Sequence, residues 1–109
     1  MFGKGPKPHP GAIDIAGMDF LDRSQEFARL WVETDGPMTA LIEPRNLGAD
    51  PFLFGMAMVD TIRHAARAYA RAVNIGEDEA LARILEGFDA ERGNNTTDLD
   101  TLQDGSAPN

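Results

Sequence analysis

The chain has no cysteine, one tryptophan, one tyrosine, two histidines and only two lysines, Lys4 and Lys7. Without cysteine there is no disulfide to brace a small fold and no thiolate to bind zinc or attack a substrate. The two serines, Ser24 and Ser106, lie in no nucleophile motif, and Gly3-Lys4-Gly5 neither follows a strand nor opens a helix, which excludes a phosphate loop. His9 sits alone among prolines, where nothing holds a second ligand at a fixed distance, and His64 has only Asp60 at helical spacing, so no metal site can be assembled. Long apolar runs are missing too: Asp60 interrupts the only stretch that approaches membrane-spanning length. No apolar run follows Lys4 and Lys7, as a secretion signal would require, and the expectation is a cytoplasmic protein. No catalytic residue, cofactor or metal is expected, which favours a non-enzymatic protein.

What is present is acidity and helix. The formal net charge of the 109 residues is -8, which repels phosphate at long range and argues against nucleic acid as a partner. The charge is unevenly spread. Residues 51–73 hold three arginines against one aspartate, whereas residues 74–92 hold six carboxylates against two arginines.

Residues 1–11 are rich in glycine and proline and read as a flexible leader, and residues 93–109 read as a disordered acidic tail. Residues 12–92 form the expected single domain. Ile13 and Ile15, alternating with Asp14, suit a short edge strand, and Met18 to Asp22 suit a helical turn. From Glu26 to Val32 a strand places Ala28, Leu30 and Val32 on one face and Phe27, Arg29, Trp31 and Glu33 on the other. Gly36 is expected to take the positive φ of a hairpin turn, and Met38 to Glu43 returns with Met38, Ala40 and Ile42 sharing a face. Asp50 and Pro51 then open a helix to Val73 that is apolar over more than half its circumference. Gly76 is expected to reverse the chain into a second helix, in which Gly87 marks either close backbone approach or a tolerated weak spot. The fold class is α+β: an antiparallel β-hairpin, extended by a short N-terminal strand if Ile13 and Ile15 pair, packed against an αα-hairpin.

One face of the first helix carries Asp60, Arg63, His64, Arg67 and Arg71. Guanidinium groups stacked at four-residue spacing suit an anion or an acidic protein segment, with His64 as a general base oriented by Asp60. The same residues also suit a solvated face, satisfied by Asp60 to Arg63, Asp60 to His64 and Arg67 to a carboxylate of the second helix. The surplus apolar surface predicts a homodimer, through edge-to-edge hairpins or packed first helices, with Trp31, Phe54, Met58 and Tyr69 at the interface. Trp31 beside Arg29 suits a binding platform if its face stays open, and interface or core if it is covered.

At Arg29-Leu30-Trp31-Val32, Asp50-Pro51-Phe52, His64-Ala65-Ala66-Arg67-Ala68-Tyr69 and Gly87-Phe88-Asp89-Ala90-Glu91 the chain resembles a family of small bacterial proteins known only as domain of unknown function 5076. The resemblance spans Glu26 to Arg92. It implies a bacterial, mainly intracellular protein with no established activity, and therefore no functional residues to transfer.

Overall fold

The computed structural model describes residues 9–96 and 99. The leader up to Pro8 and most of the expected acidic tail lie outside the described residues. The architecture is α+β: strands β1 (Ala28–Val32) and β2 (Met38–Ile42), then helices α1 (Phe52–Val73) and α2 (Glu77–Gly93), with short 3₁₀ helices at Asp19–Arg23 and Pro44–Asn46.

β1 and β2 pair antiparallel with Leu30 opposite Ala40, which keeps the apolar positions Ala28, Leu30, Val32, Met38, Ala40 and Ile42 on one face. The turn between them differs from expectation. Asp35, not Gly36, takes the left-handed conformation at φ 57°, a region aspartate tolerates. Gly36 is needed for a different reason: a Cβ there would meet the Glu33 Cβ at 2.8 Å, in the tight loop closed by the Gly36 N–H donating to the Glu33 carbonyl at 3.0 Å.

No strand forms at Ile13 and Ile15. The Asp14 carboxylate accepts from the Ala16 N–H at 3.0 Å, a local turn that competes with extended pairing, and Ile13 is 88% exposed. The expected helical turn follows as the 3₁₀ helix Asp19–Arg23. Residues 9–11, expected to be loose, are placed. The His9 Nδ1 accepts from the Gly11 N–H at 2.9 Å, and its ring meets Trp31 edge-on at 5.5 Å between centroids.

α1 begins as anticipated, with the Asp50 carboxylate accepting from the Phe52 N–H at 3.0 Å. It ends at Asn74, which takes the left-handed C-cap at φ 57° while Gly76 stays extended. Asparagine can supply that conformation, so Gly76 is not needed for the reversal. The αα-hairpin buries Ala66 and Ala80, and no other described hydrophobic residue is buried. Each hairpin packs chiefly on itself. They meet where the Phe27 ring stands perpendicular to Phe54, 6.1 Å between centroids. Among the described residues no helix is long and apolar enough to cross a membrane.

Candidate functional site

The groove between α1 and α2 gathers four of the five residues picked out on the polar stripe. Asp60, Arg63, His64 and Arg67 of α1 line an open depression of about 240 Å³ together with Ala66, Glu77 and Leu81. The helices explain the convergence. Residues three and four apart share a face of α1, and the antiparallel turn at Asn74 sets the first turn of α2 beside the last turns of α1. Arg71, on the same stripe, does not line the depression and makes no ion pair among the described residues.

The charges in the groove are satisfied locally. The Arg67 Nε donates to Glu77 Oε2 at 3.3 Å, and Arg63 Nη1 lies 3.7 Å from Asp60 Oδ1. Both pairs are well exposed, a setting in which such contacts contribute about 0–1 kcal/mol. Two arginines therefore face two carboxylates, and these four side chains leave no surplus charge in the groove. Asp60 pairs with Arg63 and makes no hydrogen bond to His64 among the described residues, so the expected orientation of an imidazole base by Asp60 does not form. The expected pairing of Arg67 with a carboxylate of the second helix forms, and Glu77 supplies it. Its role in the groove depends on the turn that brings it to Arg67. Among the described residues no three His, Asp or Glu side chains gather closely enough to hold a metal ion.

A second open depression, about 370 Å³, lies beside the strands and is lined by Glu26, Phe27, Ala28, Arg29, Leu41, Ile42 and Glu43. Its rim carries two tight ion pairs, Arg29 to Glu26 at 2.6 Å and Arg45 to Glu43 at 2.8 Å. The Arg45 side chain and then its backbone N–H donate to Glu43, and hold that carboxyl down from 4.5 to about 2. The same contacts raise Arg45, and the Glu26 hydrogen bond raises Arg29.

The expected interface residues divide. Phe54, Met58 and Trp31 are half-buried within the chain, Phe54 by Phe27 and Trp31 by His9. Tyr69 is open, at 56% exposure. Sequence reasoning did not place Val32, Phe52, Met56 and Val59 at the interface, although all four are open. Their signal was the excess of apolar positions over what one partner helix can cover.

The chain belongs to the family described as Domain of unknown function (DUF5076), whose model matches residues 18–96. It is also similar to a solved structure named a "putative pyruvate dehydrogenase" from the photosynthetic bacterium Rhodopseudomonas palustrus. The two are 36% identical with a TM-score of 0.60, over 94% of this chain and 99% of that one. No curated protein matches the chain.

Proposed function

We propose that the chain is a non-enzymatic interaction or regulatory module of the cytoplasm whose working form is a homodimer. The observation that carries this reading is the buried set among the described residues: two alanines, Ala66 and Ala80. A domain of this size ordinarily closes a contiguous core of large side chains. Here Leu30, Val32, Met38, Leu41, Phe52, Leu53, Met56 and Val59 all remain exposed. Leu41 lies on the opposite face of β2 from the other strand residues, and the summed open area of the eight is on the order of 800 Å², about what each partner contributes to a standard stable interface. A permanent deficit of this kind calls for a partner that is always present, and a second copy of the chain meets that condition. Light scattering behind size exclusion at micromolar concentration is expected to give a dimer mass at low and at high salt, because the interface is apolar. A monomer mass would overturn the reading.

The runner-up is a small enzyme or small-anion-binding protein using the groove, supported by the meeting of Asp60, Arg63, His64 and Arg67 around one depression. It stands second because Asp60 and Glu77 already neutralise the arginines. It predicts salt-sensitive binding of an acidic peptide or of inorganic phosphate that Arg67→Glu abolishes, and unchanged binding in that variant would remove it. A third reading, a small acidic dimeric chaperone covering a client's apolar segment, draws on whatever open apolar surface the dimer leaves uncovered. The activity in the Rhodopseudomonas protein's name is not adopted. Cofactor-dependent oxidation needs an enclosing pocket that orients the cofactor, and the two depressions described above are open grooves.

A further inference from the structure

We infer that a second copy docks on the free edge of β1, antiparallel and centred on Leu30, to make one continuous four-stranded sheet. This rests on the dimer reading above and specifies its geometry. The hydrogen-bonding pattern of the hairpin fixes which groups are free. The Glu43 N–H donates to the Phe27 carbonyl at 2.8 Å and the Glu33 N–H to the Pro37 carbonyl at 3.2 Å. Bonded and non-bonded pairs alternate along an antiparallel ladder. Arg29 and Trp31 therefore bond across to β2, and Ala28, Leu30 and Val32 turn their N–H and C=O groups outward.

Apart from Arg29, whose charge Glu26 holds, this edge lacks the usual defences. β1 contains no proline, no lysine and no bulge, the devices by which exposed edges are ordinarily kept from pairing. The pairing is isologous, so each copy's β1 edge is satisfied by the other's. Pairing through β1 therefore gives a closed two-fold dimer rather than a growing ribbon.

The register centred on Leu30 is self-complementary. It sets Leu30 against the partner's Leu30 and Ala28 against the partner's Val32 on the open apolar face, where Leu30 is 54% and Val32 72% exposed. On the other face it sets Arg29, whose guanidinium Glu26 holds through two hydrogen bonds, directly opposite the partner's Trp31. That pair recurs twice by symmetry, at the closer, non-bonded spacing of about 4.5 Å between Cα atoms, where cation and indole can meet.

The absence of cysteine makes the test direct. In this register the two Leu30 Cα atoms are about 5.5 Å apart, within the roughly 4.4–6.8 Å that a disulfide spans. Ala40, on the same face of β2, lies three strand spacings from its symmetry mate, roughly 14 Å. Under mild oxidation of the full-length protein, Leu30→Cys is expected to convert most of the chain to a covalent dimer, and Ala40→Cys several-fold less. Equal yields at both positions, or a non-covalent dimer in which Leu30→Cys stays reduced, would overturn the edge geometry and leave the dimer standing. A monomer mass for the unsubstituted protein would overturn the dimer reading as well.

Discussion

The helical hairpin and the strand hairpin arise from equally local signals, yet one closes on itself and the other does not. α1 and α2 bring two alanines together and bury both. Small residues let the helix axes approach, and the antiparallel turn also delivers Glu77 to Arg67. The strands pair in good register but keep their apolar face open, and the Phe27–Phe54 ring contact joins them to the helices. The N-terminal half of α1 shares that exposure, since Phe52, Met56 and Val59 are all open. The difference shows that pairing two elements satisfies backbone hydrogen bonds but supplies cover for only one face of each.

Four perturbations separate the two regions. The largest effect should come at the helical seam, where Ala80 is buried against α1. Ala80→Leu overpacks that contact and should cost about 1–3 kcal/mol in urea unfolding. An effect near zero would mean that the seam is as loose as the strand face. Val32→Lys should leave the fold of each chain intact, because Val32 is exposed, while weakening self-association by about 1–2 kcal/mol, roughly the worth of burying a valine. Sedimentation over a dilution series reads this, and an unchanged association constant would place the interface elsewhere. Gly87→Ala should stabilise α2 by about 0.5–1 kcal/mol, since a Cβ there meets nothing within 4 Å. A loss of stability instead would reveal close approach by a second copy.

The smallest effect concerns Glu43 at the end of β2. Its carboxyl is held at about 2, below its ordinary 4.5, by Arg45. A lowered carboxyl contributes stability that is present above pH 4.5 and is lost as the pH falls toward 2. Glu43→Gln should therefore flatten a minor part of the acid limb in that window, measured by thermal melts between pH 2 and pH 5, and leave stability at pH 7 only slightly reduced. Arg45 is open to solvent and Glu43 partly so, which keeps the effect small.

Much of the fold was legible, but unevenly. The two strands, their shared face, the Asp50 cap and the αα-hairpin follow from alternation, helical spacing and terminal residues. The left-handed positions were misplaced onto Gly36 and Gly76 because asparagine and aspartate also take that conformation at little cost. The strand proposed at Ile13 and Ile15 failed because three residues of alternation specify no partner, and the Asp14 turn is made within the chain. Of the polar stripe, the helix spacing correctly grouped Asp60, Arg63, His64 and Arg67. It could not exclude Arg71 or say which carboxylate of the second helix meets Arg67, since both depend on where α2 lies.

The sequence by itself determined the elements, the side of each that is apolar, and the excess of apolar surface over available cover, because periodicity is a property of neighbours along the chain. Only the tertiary structure decided which charges meet, that His9 lies against Trp31, and that Ala66 and Ala80 alone are buried among the described hydrophobic residues. Periodicity assigns a side chain to a face, but contact depends on the distance between elements far apart in sequence, and turn geometry and packing set that distance.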